Sequence, residues 1–398
     1  MEYKDYDQFW QKIHQSAREK GVPLRVMFEL TYRCNFNCAH CYIPTDFRTK
    51  GELTTQEVFS VLDQLKAAGC FYLGFTGGEP FMRADFMDIL WYAKRAGFQV
   101  IIYTNGSLID EKKAAALAKF SPNKVDITIP ALSKEAFERI TGVTGYWDRV
   151  FHAIDLLHSL GVPLGFKTCL LRENELEIAQ IQEFAASLGS LYRLDTMLSP
   201  RLDGDPEPYC YRGTLHLAKS HGMPAISNRM TNFKCQMTNE FQMSNDKLKD
   251  KNILFTCGAG RTQAAVTPLG ELKLCVIIDR PKITIDTGHM TQDTRENLQI
   301  TRNTSHVTRN KNEGVSLSEA WEKLKETTEN IEAGKKHQCP ECELAPYCKW
   351  CPAQSWLAHG TFTGCVPESR AWAQMVQESL CSDREKMLKG YQSKAGII

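Results

Sequence analysis

The sequence predicts an α/β protein: a partial (β/α)6 barrel of TIM type, followed by a small cysteine-rich α+β domain. Three observations carry that expectation. Six short apolar segments alternate with five helix-period segments between residues 25 and 198. Several intervening helices run into a glycine where a left-handed C-cap belongs, at Gly69, Gly97, Gly161 and Gly189. Ten of the fifteen cysteines fall into spaced groups, three before residue 42 and seven after residue 256.

Residues 1–24 hold a short amphipathic helix, 6–18, ending before Gly21-Val22-Pro23. The barrel spans 25–198, with strands at 25–30, 71–76, 99–103, 124–129, 163–168 and 191–198. Helices are expected at 54–68, 83–96, 111–119, 147–160 and 175–188; Thr54-Thr55-Gln56-Glu57 supplies an N-cap and an acidic first turn. Strand–helix alternation of this kind gives a parallel sheet, and ligands sit at the C-terminal strand ends. Residues 199–256 lose the pattern: turn-rich 200–208 gives way to a polar stretch that reads as a bridge over the barrel mouth.

The cysteine-rich domain spans 257–370. A hairpin pairing 263–267 with 272–278 around Pro268-Leu269-Gly270 is expected to bring Cys257 and Cys275 together. A polar loop (283–314) and a helix (318–329) follow, then Cys339, Cys342, Cys348, Cys351 and Cys365. Residues 371–398 complete a terminal helix (368–388) and a tail.

Composition narrows the function. A net charge of +1 gives no electrostatic footprint for nucleic acid or an acidic membrane. No apolar run approaches the ~20 residues of a membrane helix. The polar N-terminus lacks a signal-peptide core, so the expected location is cytoplasmic. In that compartment the cysteine groups read as metal sites, not disulfides. Cys70, Cys169, Cys210, Cys235 and Cys381 lie outside the groups, and most of them read as small buried hydrophobes.

The chemistry centres on Cys34-Asn35-Phe36-Asn37-Cys38-Ala39-His40-Cys41, directly after the first strand. Three thiolates on one loop can hold three irons of a [4Fe–4S] cube and leave the fourth open. Thiolates suit zinc as well, but structural zinc takes two ligand pairs and no second pair lies nearby. With this C-x3-C-x2-C loop the chain resembles the radical S-adenosylmethionine (radical SAM) enzymes. The resemblance implies that the open iron binds AdoMet, which an electron cleaves to methionine and a 5′-deoxyadenosyl radical. Thr76-Gly77-Gly78-Glu79-Pro80 ends the second strand and resembles the family's GGEP motif. There two glycines let backbone approach a ligand and Glu79 can accept from the AdoMet ammonium. Thr104-Asn105-Gly106 resembles the family's T-N-G. Asn105 and Thr128, on the fourth strand, are the further cofactor-side candidates, with Arg139 and Asn174 as weaker ones. His40 reads as packing beside the cube. Tyr103, Asp126 and Glu29 read as structural, and no acid or base is assigned.

The seven downstream cysteines resemble the SPASM extension, which carries up to two auxiliary [4Fe–4S] clusters. One spacing departs from it: Cys348-x2-Cys351 stands where the family has x3. By that resemblance Cys339, Cys342, Cys348 and Cys365 hold the second auxiliary cluster, and Cys257, Cys275 and Cys351 the first. The fourth position of the first is Cys235 or an iron left open for a substrate group. Trp350 and Trp356 read as packing. A zinc ribbon fits Cys339–Cys351 alone but leaves the other thiols unexplained.

The resemblance implies an oxidative peptide or protein maturase, forming thioether, C–C or C–O bonds in a ribosomally made peptide. A cofactor-pathway enzyme such as a haem-precursor decarboxylase, or an anaerobic sulfatase-maturating enzyme, is the alternative. A non-catalytic metal scaffold is a third reading. The implied partners are the peptide or protein substrate, a flavodoxin- or ferredoxin-type reductant and, as a further candidate, a separate leader-peptide-binding protein.

Overall fold

The structure is a computed structural model and describes residues 3–213, 257–288, 314–331 and, apart from residues 349, 368 and 376, 339–378. Cys235, Cys381, most of the expected bridge and part of the terminal helix lie outside these residues. The described residues form two compact units. One joins the barrel to 257–288 and 314–330; the other runs from 331 onward.

In the first unit α1 (Tyr3–Lys20) leads into β1 (Arg25–Thr31), α2 (Thr55–Ala67), β2 (Tyr72–Gly77), α3 (Phe86–Ala96) and β3 (Gln99–Thr104). Then come α4 (Glu111–Phe120), β4 (Lys124–Thr128), α5 (Lys134–Thr141), α6 (Trp147–Ser159), β5 (Leu164–Cys169), α7 (Ile178–Ser187) and β6 (Leu191–Asp195). The six strands pair in parallel in sequence order, an unclosed partial barrel as the alternation predicts. Helices α2, α3, α4, α6 and α7 each bury one apolar stripe. On α2 that stripe is Val58, Val61, Leu62 and Leu65, all fully buried at helical spacing. The α2 N-terminus carries the full capping box: Thr54 Oγ1 accepts from Glu57 N–H, and Glu57 Oε2 accepts from Thr54 N–H at 2.7 Å.

Two helices start later than expected because their leading polar residues serve as staples. Arg83 lies in a turn before α3, where its guanidinium donates to the carbonyls of Leu30 (3.2 Å) and Leu53 (2.9 Å) and pairs with Asp85 at 2.6 Å. Asn174, ahead of α7, bonds Leu171 N–H, Pro130 O and Cys169 O. Glu177 accepts from Leu132 and Ser133 N–H. The short helix α5 was not expected at all.

The cysteine-rich region is not separated from the barrel at residue 257. Strand β7 (Gln263–Val266) pairs in parallel with β1, and β8 (Glu271–Lys273) and β9 (Lys282–Thr284) extend the sheet antiparallel to nine strands. The hairpin forms as expected but with shorter strands, and β9 is additional. Helix α8 (Leu317–Glu329) packs on the same unit; Gln64 of α2 accepts from Leu317 N–H, and Trp321 Nε1 donates to Gly21 O. In the second unit short 3-10 turns over Cys339–Glu341 and Ala345–Tyr347 precede α9 (Pro352–His359). Among the described residues no helix is long and apolar enough to cross a membrane.

A buried ion pair ties the hairpin to β1. Lys273 Nζ lies 2.9 Å from Glu29 Oε2, both essentially without exposure, and Tyr42 donates to Glu29 Oε1 at 2.8 Å. Lys273→Met strands the Glu29 charge and should cost about 3–5 kcal/mol. Denaturant unfolding should show Lys273→Met/Glu29→Leu regaining part of that loss. A double variant no more stable than the single one would contradict the ion-pair assignment.

Candidate metal centre at the barrel mouth

The cysteine loop leaves β1 at its C-terminal end and is clamped from two sides. From β2, Gly78 N–H donates to Thr31 O at 2.7 Å and Glu79 N–H to Arg33 O at 2.8 Å. A Cβ on Gly77 (φ +120°) would lie 2.2 Å from Thr31 O, and one on Gly78 2.2 Å from Arg33 O. The close backbone approach expected toward a ligand is thus made first to the cysteine loop itself. From α5, the carbonyls of Thr141 and Ile140 accept from Asn37 (2.8 Å) and Ala39 (3.3 Å). These are orphan C-terminal carbonyls that a helix end offers to any nearby donor. Phe36 packs its ring edge-on to Phe137 of α5 and to Tyr146 at the N-cap of α6, fixing the loop to both.

Within this clamp Cys34, Cys38 and Cys41 lie within electrostatic reach of one another. Burial pushes the Cys34 thiol up to about 11, with Glu79 and Cys41 adding to the shift, and burial likewise raises Cys38 well above its ordinary value, with Cys41, Cys34 and Cys169 adding to it. Arg48, which donates to Phe36 O at 2.8 Å, works in the opposite direction. Cys34 Sγ accepts from Phe36 N–H at 3.4 Å and lies 3.9 Å from Asn105 Nδ2. Three soft sulfur ligands on one loop, N–H donors at sulfur and a nearby cation suit an anionic thiolate cluster. Among the described residues no three His, Cys, Asp or Glu side chains converge on a point that a single ion could fill. The residues fit an iron–sulfur cube held by three thiolates.

Glu79 differs from expectation. Its carboxylate is wholly buried and accepts from Thr104 Oγ1 (2.8 Å), Asn105 N–H (2.7 Å) and Phe81 N–H (3.1 Å). The side chain thus staples the ends of β2 and β3, and its free acceptor capacity is small. Burial lifts its pKa from 4.5 to about 7, with the three hydrogen bonds pulling the other way. A raised carboxyl pKa means stability that is full below 4.5 and is lost as pH rises through 7, roughly 3 kcal/mol in all. Glu79→Gln should remove that slope from thermal melts between pH 5 and 8. It also sets an amide NH2 against one of the three donors, so it should melt below the wild type at pH 5.

In the second unit Cys339, Cys342, Cys348 and Cys365 come within mutual electrostatic reach; burial first and then the other three thiols push Cys339 up to about 12. Trp350 Nε1 donates to Gly364 O at 2.8 Å, and Trp356 stacks on Phe362 at 4.6 Å. Cys351 caps α9. Cys257 and Cys275 lie at the open end of the β7–β8 hairpin in the first unit.

Comparison with known proteins shows which family this part of the chain resembles. Residues 28–185 match the radical SAM superfamily. The chain carries a radical SAM domain. It is 30% identical over 201 residues to an AdoMet-dependent heme synthase of Methanosarcina barkeri, covering 49% of this chain and 58% of that protein. The chain thus spans somewhat over half the length of that relative. It is 28% identical over 267 residues to the mycofactocin maturase MftC of Mycobacterium tuberculosis, covering 66% and 67%. The fold is shared with Streptococcus suis SuiB bound to precursor peptide SuiA, at TM-score 0.59 and 14% identity, over 89% of this chain and 78% of that one.

The concave face of the radical SAM domain is strongly polar on its β3–β6 side. Register places Tyr103 beside Asp126, Thr128 beside Lys167, Lys167 beside Arg193 and Cys169 beside Asp195. Lys167 and Arg193 share Asp195 at 3.5 and 3.3 Å, and Lys124 pairs with Asp126 at 2.8 Å. Thr128, half-buried on β4, stands in this wall beside Lys167. Cys169 is no isolated core thiol: it lies within electrostatic reach of Cys38 and Cys41. Its place one residue pair beyond Lys167 on β5 was the available signal. Cys210 is exposed. Burial, then Lys167, lowers His40 to about 4, so the ring is neutral beside the thiols. Arg139 is exposed on α5, and Asn174 is the buried staple ahead of α7.

Proposed function

We propose that the chain is a radical SAM enzyme that oxidatively modifies a peptide or protein substrate, forming a thioether, C–C or C–O bond. The observation that carries the reading is the three-thiol loop clamped between the Gly77-Gly78-Glu79 turn and α5. Cys34, Cys38 and Cys41 would hold the [4Fe–4S] cluster, and the main chain of the glycine turn would bound the methionyl end of AdoMet. When bound, cluster and AdoMet together supply a one-electron cleavage whose product abstracts hydrogen from a C–H bond. The chain's own part is enclosure and orientation. Thr128 and the β3–β6 wall would face substrate, Lys167, Arg193 and Asp195 would fix its polar groups, and neutral His40 would leave the thiolates free of a competing proton donor.

The four thiols of the second unit that lie within electrostatic reach of Cys339 or Cys348 support a further cluster on Cys339, Cys342, Cys348 and Cys365. Cys257 and Cys275 of the first unit would be ligands of another, as the sequence resemblance implies. An oxidative reaction needs such an electron acceptor, and an external flavodoxin- or ferredoxin-type donor would prime the first cluster. The maturase and precursor-peptide names among the similar proteins favour a peptide; the heme synthase favours the second reading, a tetrapyrrole substrate.

Mass spectrometry separates the two. The reduced, AdoMet-supplied enzyme should convert a short peptide encoded beside its gene into a product lacking two hydrogen atoms per bond formed. Loss of carbon dioxide from a porphyrin carboxylate, with the peptide unchanged, would establish the second reading instead.

A further inference from the structure

The sulfur of Cys34 faces a side-chain amide whose orientation is fixed from behind. Asn105 follows β3, and its Oδ1 accepts from both Ser107 N–H (2.9 Å) and the Ser107 hydroxyl (2.7 Å). That hydroxyl in turn accepts from Asn35 Nδ2 at 2.8 Å, and Asn105 Nδ2 donates to Asn35 Oδ1 at 2.9 Å. Two donors at Oδ1 leave only the NH2 group to face sulfur, so the network itself tells the amide's two ends apart. The second N–H of that group is the one toward Cys34 Sγ, 3.9 Å away. The main chain that carries this amide is held as well, its Asn105 N–H donating to the buried Glu79 carboxylate at 2.7 Å. Ser107 is itself only 5% exposed.

We propose that Asn105, locked by Asn35 and Ser107, is a positioning residue for the Cys34 thiolate, donating an N–H to its sulfur and raising the cluster's potential. This assigns Asn105 to the metal side of the cleft, where the sequence suggested the AdoMet side, and it rests on Cys34, Cys38 and Cys41 holding the cluster. The physical basis is charge. Reduction makes the cluster more negative, and an N–H dipole aimed at a ligand sulfur stabilises that charge. The strand ends therefore set a donor and not merely a cavity wall.

The test is a redox titration of anaerobically reconstituted full-length protein, followed by electron paramagnetic resonance. The Cys34 cluster is identified as the signal that changes when AdoMet is added. Asn105→Ala should move its midpoint to lower potential. Asn105→Asp, which turns a carboxylate oxygen toward the sulfur, should move it further. Ser107→Ala keeps the donor but frees its orientation and should give a smaller shift the same way; it carries the test if Asn105→Ala takes up no cluster. A merely structural role would lower cluster occupancy and leave the potential of the loaded fraction unchanged. An unchanged potential in the loaded variants overturns the inference alone. A wild-type protein with no AdoMet-sensitive signal overturns the cluster reading beneath it.

Discussion

Replacing Cys34, Cys38 and Cys41 together by alanine should abolish AdoMet cleavage and lower the iron content by about four atoms per chain, from roughly twelve. The three thiols sit on one clamped loop, and no thiol elsewhere in the sequence repeats their spacing. The loss should therefore be confined to one cube, with the downstream clusters retained. Iron analysis of anaerobically reconstituted protein reads this directly. A wild-type content near that of a single cube would remove the auxiliary clusters from the account. An unchanged content in the triple variant would remove the loop.

The second large effect is steric. Gly78→Ala drives a methyl group to 2.2 Å from Arg33 O, a distance that requires the turn or the cysteine loop to move. Because Gly78 N–H and Glu79 N–H both bond that segment, the clash also breaks hydrogen bonds at 2.7 and 2.8 Å. A loss of more than about 4 kcal/mol is expected, with the loop's cluster lost even where the chain still folds. Gly97→Ala is the control. It carries a similar change at the α3 C-cap, at φ +96° with no atom within 4 Å, and should cost only about 1–2 kcal/mol. Thermal melts and iron content of the two variants separate backbone strain from the clash. Equal losses would mean that the glycine turn does not hold the loop.

The barrel was legible because its signals are local: strand period, helix stripe and glycine caps repeat within each unit. The cysteine loop and the glycine turn were legible as motifs, but what they touch was not. Gly77 and Gly78 press on the loop's own backbone, and Glu79 spends its carboxylate on Thr104, Asn105 and Phe81. Helix α5 escaped because two turns give little periodicity, although its carbonyls hold Asn37 and Ala39. Strand β7 was recognisable as a strand, but its pairing with β1 joins segments far apart in sequence, and no local pattern encodes it. Cys169 and Asn105 gained their places beside the thiols from register and from a three-residue hydrogen-bond ring, both of them tertiary properties.

The central claim is that the loop from Cys34 to Cys41 generates a radical from AdoMet. The most direct measurement is anaerobic incubation of the reconstituted full chain with dithionite and AdoMet, followed by quantitation of 5′-deoxyadenosine. The account predicts that 5′-deoxyadenosine and methionine form in the wild type and not in the triple-alanine variant. A fully loaded wild-type protein that forms neither product would contradict it and leave the clamped thiols as a structural metal site.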